Sequence, residues 1–452
     1  MDFIQINLEE IKLNNFISEF DNKIILKNGL LSLKLDKNKT EINVISNYTF
    51  EKKDEPKEFL FSYSKNRSNE KYKFYIDLSE YELILNELNF HKQKTDELFL
   101  DLSIIKNKNI YNLQKLKLYN KNNIFDLRDI SFANDLKIED FASIEAKYYN
   151  KNNFFNDILI KKKGNKITLF SNNFDIGLDV EKSLKSEKEI NLFDIFKNLN
   201  STLEININSA KLDEEHDLKN LNGKIIVKNS KIDKANISAL FDPDNKFTYT
   251  KNDINGIKVT TIYSDIAKPF VKKFDFIKGF EDGKLDFTSA KISKNLSKSE
   301  LRIYDFKLKD MPALTKLLSL ASLQGIADLA TGQGIRFNEF DMFFDNTKNL
   351  ITIEEIYALG PAISILMEGY VEKNKLVSLR GTLVPATTIN RTIAKIPLLG
   401  NILVGEKAGE GVFGVSFKVK GPPNDLDTRV NPIKTLTPRF ITRTLEKIKK
   451  SN

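Results

Sequence analysis

Apolar and polar residues alternate with a period of two through most of this chain, and that rhythm leaves few architectures open. Leu31, Leu33 and Leu35 are separated by Ser32 and Lys34, and Tyr72, Phe74, Ile76 and Leu78 by Lys73, Tyr75 and Asp77. Leu98, Leu100, Leu102 and Ile104 form another such row, and Leu203, Ile205 and Ile207 sit opposite Glu204, Asn206 and Asn208. Near the end Phe413, Val415, Phe417 and Val419 alternate with Gly414, Ser416, Lys418 and Lys420. Successive side chains of a strand point to opposite faces, so each run reads as a strand with one apolar and one polar face. A sheet with one wet face is antiparallel rather than a doubly buried parallel one. Asn28-Gly29, Asn222-Gly223, Asn255-Gly256 and Asp282-Gly283 lie between such runs and predict hairpin turns, because each supplies the positive φ angles a tight turn needs.

Helical spacing is rarer and falls late. Asn191–Leu199 reads as a short helix, and Ile266, Phe270, Phe274 and Ile277 predict one over 264–278, stopped by Gly279. Residues 311–330 read as a helix apolar nearly all round, and 437–450 as one that sets Ile441, Leu445 and Ile448 against Arg439, Arg443, Lys447 and Lys450. Near residue 310 the text shifts from Lys/Asn-rich strands to richer Gly, Ala, Leu and Pro. We therefore divide the chain into a strand-rich segment 1–200, a continuation 201–310 that carries the helix 264–278, and a C-terminal region 311–452.

Chemistry is conspicuously thin. With no Cys there is neither a thiolate nucleophile nor a disulfide, and the two His, His91 and His216, have charged neighbours in Lys92 and Asp217 and read as exposed. Glu354-Glu355 and Asp213-Glu214-Glu215 are adjacent acids, which on strands point to opposite faces and share no work. Gly332-Gln333-Gly334 lacks the third glycine of a dinucleotide fingerprint, and no nucleophile elbow, phosphate loop or zincin motif occurs. We expect no enzyme, no metal and no cofactor. Seventy Lys+Arg against 62 Asp+Glu gives a net charge of +8, a mild bias over this length. In Lys71-Tyr72-Lys73-Phe74-Tyr75 the alternation separates Lys from Phe, so bases have no aromatic platform beside the charges, and nucleic acid is not the expected partner. The start is acidic and broken by polar residues, unlike a signal peptide, and no run approaches the ~20 apolar residues of a spanning helix.

The order of motifs in the C-terminal half resembles a known family. Tyr263-Ser264-Asp265 is followed by Gly279-Phe280-Glu281-Asp282-Gly283, Ile303-Tyr304-Asp305-Phe306 and Met311-Pro312-Ala313-Leu314. Then come Gly360-Pro361, Val384-Pro385-Ala386, residues 396–400 (IPLLG), Gly409-Glu410-Gly411, Gly421-Pro422 and Val430-Asn431-Pro432. Over roughly residues 200–440 this order is similar to the C-terminal region of AsmA-like proteins of Gram-negative bacteria, especially the large alphaproteobacterial members. Where that family continues its Ser-Asp with an acidic residue and a glycine, this chain has Ile266 and Lys268. The resemblance implies a likeness to bridge-like lipid-transfer proteins: a mainly β fold, with a long twisted antiparallel sheet curled into a groove and a few short helices concentrated in the C-terminal half. It also implies a non-enzymatic conduit for phospholipid between inner and outer membranes, placed in the periplasm. Family members normally begin with an inner-membrane anchor; the expectation here is either an anchor upstream of these residues or a truncated or divergent member.

The residues suit that role. A sheet with one apolar face must cover it, and the strand-rich residues 23–230 offer little amphipathic helix to do so. Acyl chains would fill the deficit, at roughly 0.8 kcal/mol per buried CH₂. Leu203, Ile205, Ile207, Phe413, Val415, Phe417 and Val419 are the expected groove lining. Arg439, Arg443, Lys447 and Lys450 are the expected contacts with an anionic membrane surface or envelope protein at one end. The chain is expected to act as a monomer. The other reading of the same alternation is a self-packed sandwich or barrel, and the other reading of the role is a structural protein that supports outer-membrane assembly without carrying lipid.

Overall fold

The computed structural model describes residues 3–5, 11–12, 23–36, 39–49, 55–66, 69–107, 110–177 without 134 and 136, 180, 193, 195–271, 279–309, 334–385 without 374, and 414–433 without 424. Strands dominate them, as the alternation requires. The chain divides into two compact units: residues 1–176, 191–211 and 219–233 form the first, and 177–190, 212–218 and 234–452 the second.

In the first unit the short strands β1 (Phe3–Gln5) and β2 (Ile11–Lys12) pair with β3 (Lys23–Asp36), from which a meander runs through β4 (Lys39–Thr49), β5 (Lys57–Asn66) and β6 (Asn69–Asp77). The chain then leaves the sheet to form a separate two-stranded hairpin of β7 (Leu83–Leu85) and β8 (Phe90–Lys92), joined by a 3-10 turn at Asn86–Leu88. It returns as β9 (Phe99–Asn107), which pairs with β6, and continues through β10 (Ile110–Tyr119) and β11 (Ile124–Phe132). The short β12 (Ile138–Asp140) touches the end of β11. Beyond it β13 (Ser143–Tyr149), β14 (Phe155–Lys163) and β15 (Lys166–Asp175) extend the ladder. The next strand, β16 (Ser201–Lys211), runs parallel to β15, with Leu169 opposite Ile205. The sheet is therefore mixed and not purely antiparallel as expected. Alternation specifies which face a residue takes, not the direction of the neighbouring strand.

β17 (Asp217–Lys228) and β18 (Lys231–Leu240) contribute residues to both units. The second unit is an antiparallel meander from the later part of β18 through β19 (Lys246–Ile254), β20 (Ile257–Ser264), β21 (Phe280–Ser293), β22 (Leu296–Leu308) and β23 (Ile335–Asn346). It ends with β24 (Leu350–Leu359), β25 (Ile363–Glu372), β26 (Leu376–Pro385), β27 (Gly414–Gly421) and β28 (Asp427–Ile433). No pairing among the described residues joins the last strand of the meander to its first, so this is not a closed barrel.

Three of the four predicted hairpin turns are something else. Asn255-Gly256, with φ of 53° and 82°, does join β19 to β20. Asn28-Gly29 lies inside β3 where the register to β4 shifts between Lys27 and Leu30, and Asp282-Gly283 lies inside β21 opposite Asp305, itself at φ 52°. Asn222-Gly223 lies inside β17. Positive φ serves a β-bulge as well as a turn, and a bulge bends its strand and adds to its right-handed twist. Further register shifts fall at Leu113/Lys115, Lys291/Ser293, Phe343/Phe344 and Ile353/Ile356.

Helices are few among the described residues. Within the helix predicted over 264–278, α1 (Lys268–Val271) is described, and residues 272–278, like the predicted helices 311–330 and 437–450, lie outside the described residues. Residues 195–200 contradict the helix predicted at Asn191–Leu199: Phe196 bridges Ile138 in a parallel pairing instead, and buries its ring against Phe141 at 5.7 Å. Strands β24–β26 also depart from the one-wet-face pattern. Tyr357, Leu366 and Val384 are buried on the face opposite to Ala358, Ile365 and Leu383, which are buried too.

Candidate functional site

Register converts the alternation of single strands into continuous rows. In the first unit Leu31 of β3 stands opposite Val44, Val44 opposite Phe61, Phe61 opposite Phe74 and Phe74 opposite Leu102. The same row continues through Leu116, Leu127, Ile144, Ile160, Leu169 and Ile205. Directly paired residues share a face, so these eleven side chains form one unbroken apolar row. Ten interstrand steps of about 4.8 Å make it roughly 48 Å long when measured along the hydrogen bonds. One residue away on every strand, the opposite face presents Ser32, Asn43, Ser62, Lys73, Ser103 and Lys115, then Arg128, Ser143, Lys161, Thr168 and Glu204.

Burial along this face is graded. Only Val44 of the eleven is buried, while the other ten are half-buried. Towards one end of the strands the adjoining row of Phe59, Ile76, Phe125, Ala146, Ile158 and Ile207 is buried. Residues 78–98 account for part of this: Phe90 packs its ring edge-on to Phe125 at 5.1 Å and Tyr148 at 5.9 Å, while Tyr81 stacks on Tyr48 at 6.1 Å. This hairpin is held by Lys92, which is 2% exposed. Its Nζ donates to the carbonyls of Leu78 (3.1 Å), Tyr81 (2.7 Å) and Ser79, using all three ammonium donors. Burial pushes the Lys92 ammonium down from its usual value, against the pull of Asp96, Glu80 and Asp77. At the other end of the strands Ile130, Phe141, Ile167, Leu199 and Leu203 are buried beside Phe196. A hydroxyl fixes that segment: Ser230 Oγ donates to the Phe196 carbonyl at 3.0 Å and accepts from Leu199 N–H at 2.9 Å. The central row between these two covers is the less buried part of the face: Val44 belongs to the buried cluster, and Leu31, Phe61, Phe74, Leu127 and Ile160 are half-buried and pack against it.

The second unit repeats the arrangement. Ile237, Tyr249, Ile262, Phe287, Leu301 and Met342 form a row that continues through Ile356, Met367, Gly381, Phe417 and Val430. Most of it is half-buried, with Ile356 and Phe417 the buried members. One end is covered by aromatics. Phe270 of α1 stacks on Phe247 at 5.4 Å, and Phe280, Phe306 and Phe337 stack in series at 5.3 Å per step. The Ser-Asp of the quoted motif positions this corner. Ser264 is fully buried, donating from Oγ to the Ile266 carbonyl at 2.6 Å. Asp265 accepts from Tyr263 Oη (2.6 Å) and Lys246 N–H (2.9 Å), and lies 3.2 Å from Lys284 Nζ. Burial opposes the charge on Asp265, but these donors outweigh it and hold the carboxyl below its usual value. The same contact pushes the Tyr263 hydroxyl up to about 12.

The predicted lining residues distribute as follows. Leu203, Ile205 and Ile207 alternate on β16 and face Ile167, Leu169 and Ser171 of β15; Leu203 and Ile207 are buried and Ile205 is half-buried. Phe417 and Val419 share a face of β27 opposite Gly381 and Leu379, and the backbone of Val415 pairs with Leu383; Phe417 is buried and Val419 half-buried. Phe413, together with Arg439, Arg443, Lys447 and Lys450, lies outside the described residues. The sequence reading missed most of the central row, including Val44, Leu116, Leu127, Ile144, Ile160 and Leu169. Their alternation was visible, but not the register that aligns them.

Both histidines differ from their expected exposure. His91 lies 2.6 Å from Glu82, and His216 Nδ1 lies 2.9 Å from Asp213 Oδ1; both are half-buried. Burial disfavours charge on Asp213, yet the N–H groups of Glu215 and His216 and the His216 ring hold its carboxyl below the usual range. Glu354 lies 3.4 Å from Lys298. Among the described residues no three His, Asp or Glu come together to hold a metal, and no helix is long and apolar enough to cross a membrane.

No known protein family, characterised protein or solved structure matches this chain.

Proposed function

We propose that this chain is a non-enzymatic conduit for phospholipid acyl chains, an AsmA-like protein acting between the inner and outer membranes of a Gram-negative envelope, with its apolar faces lining a curled groove. The observation that carries the reading is the eleven-strand apolar row of the first unit. Ten of its members remain half-buried, where a self-packed sandwich would bury them. Each acyl methylene leaving water for such a row gains about 0.8 kcal/mol, so a chain gains on the order of 10 kcal/mol. Because apolar contact has no direction, hydrocarbon can slide from one strand to the next with little barrier. The bulges in β3, β10, β21 and β24 support the curl, since each bends its strand. In this reading the chain works in the periplasm as a monomer, and Arg439, Arg443, Lys447 and Lys450 meet an anionic membrane surface or envelope partner.

A second reading, a structural protein that supports outer-membrane assembly without carrying lipid, is favoured by Leu203, Ile207 and Phe417, which the chain buries by itself. Solvent extraction of the purified chain followed by mass spectrometry separates the two. The conduit retains phospholipid above the level of an unrelated β-protein prepared alongside, and lipid-free protein would leave only the scaffold.

A further inference from the structure

The face of the second unit opposite to the Ile237–Val430 row breaks the alternation at one end. On β19–β22 it reads Thr250, Thr261, Thr288 and Glu300, then Asn252, Val259, Ala290 and Lys298. Two residues further along each strand, at the hairpin ends, it turns aliphatic. Ile254 stands opposite Ile257, Ile292 falls at the register shift of β21, and Leu296 opens β22. Ile257 and Ile292 follow the directly paired Lys258 and Lys291 towards the tips, so the three isoleucines adjoin. They are 55%, 39% and 47% exposed in chain order. Single exposed aliphatics are ordinary, but three side by side on neighbouring hairpins form a patch. Beyond β22 the strip thins: Leu350 and Leu376 hold the matching positions on β24 and β26, half-buried, on either side of Glu372.

This end is built of tight turns. Strand pairs β19/β20, β21/β22, β23/β24 and β25/β26 close there at residues 255–256, 294–295, 347–349 and 373–375, while the longer connections 265–279, 309–334 and 386–413 leave from the other end. Asn, Gly, Lys and Thr make up these four turns, with no acid among them. The β19/β20 tip is fixed, since Asn255 and Gly256 take φ of 53° and 82° and the Gly256 N–H donates to Asp253 Oδ1 at 2.8 Å. Asp253 also pairs with Lys258 at 3.3 Å, so charge beside the patch is matched and what the tip offers a partner is apolar. A stable protein–protein interface takes about 800 Å² from each side, more than four aliphatic side chains on two hairpin ends present. A bilayer asks for less: apolar groups that reach past the headgroups, on backbone that meets its own hydrogen bonds, as a two-residue turn does.

We propose that the β19/β20 and β21/β22 tips form a membrane-docking edge. Ile254, Ile257 and Ile292 enter the hydrocarbon boundary of one leaflet, and the exposed Lys294 at the turn apex lies among the headgroups. The edge is independent of the lipid-carrying reading, since a scaffold would dock in the same way. It makes the bilayer itself, and not a single lipid, the partner of this face.

The chain has no Trp, so Ile254→Trp and Ile292→Trp each supply a lone fluorescent reporter. Mixed with vesicles of equal phosphatidylcholine and phosphatidylglycerol, each variant is expected to shift its emission to the blue and to become shielded from acrylamide. Wild type is expected to co-sediment with the same vesicles in low and in high salt. Ile254→Ser/Ile257→Ser/Ile292→Ser should weaken co-sedimentation about tenfold while its urea midpoint stays near that of wild type. Leu240→Ser, exposed at the other end of the β18–β19 pairing, should leave vesicle binding unchanged. Wild type that stays in the supernatant overturns the docking edge, and so does equal co-sedimentation of wild type and the triple variant. Binding that high salt abolishes, or bound protein whose reporters stay in water, assigns the contact to charge adsorption elsewhere on the chain and overturns it too. None of these outcomes bears on the phospholipid extracted from the purified chain, which tests the conduit separately.

Discussion

Lys92 shows how much one side chain can fix. It sits next to His91 in what reads as a charged, solvated stretch, yet its ammonium ends among three carbonyls beneath the hairpin of residues 78–98. Methionine would match its length and leave those carbonyls bare. Lys92→Met is expected to cost about 1–3 kcal/mol in urea unfolding. The pH dependence has a definite sign. Because the folded value lies below the ordinary 10.5, the unfolded chain binds more protons in the window beneath it, so stability rises as pH climbs through that window. The variant should lose that slope. Asp265 works in the opposite sense. Its folded value is depressed below 3.8, so the stability it confers is complete above that pH and drains away as pH falls through the lower folded value. Asp265→Asn is expected to cost about 1–2 kcal/mol at neutral pH and to flatten this part of the acid limb in a urea series.

At the scale of elements, the strands were legible and their irregularities were not. Tyr72, Phe74 and Ile76 announce β6, and Lys73 does fall on the face opposite Phe74. Asn28-Gly29, by contrast, gives the same local signal as Asn255-Gly256, since both need positive φ; whether the chain then turns back or bulges depends on where the next strand pairs. The parallel join of β15 to β16 was equally silent, because direction is a property of two strands together. Glycine matters most where β21 begins beside the end of its antiparallel neighbour β22. Gly279 has φ +66°, and a Cβ there would lie 1.8 Å from the Lys309 carbonyl oxygen, while the Lys309 N–H donates back to Gly279 at 2.8 Å. Gly279→Ala is expected to cost about 2–3 kcal/mol, read as a lowered thermal midpoint.

For the whole molecule, the candidate site is a property of register and so lies beyond any local reading of the text. Leu203, Ile205 and Ile207 could be named from their own strand, but nothing near Leu127 says that Leu116 and Ile144 will flank it. A charge at that central position interrupts the row beside the buried cluster against which Leu127 packs. Leu127→Glu is expected to lower phospholipid recovered by extraction several-fold, while unfolding in urea shifts by about 1–3 kcal/mol.

Because eleven strands of the first unit each contribute one side chain to the row, its length is a count of those strands. Inserting one more hairpin anywhere in the antiparallel part would lengthen the path by about 10 Å and leave the chemistry of each rung unchanged. Such a molecule is a ruler graduated in hairpins: duplication of some twenty residues, a modest genetic accident, is enough to add two rungs to the row.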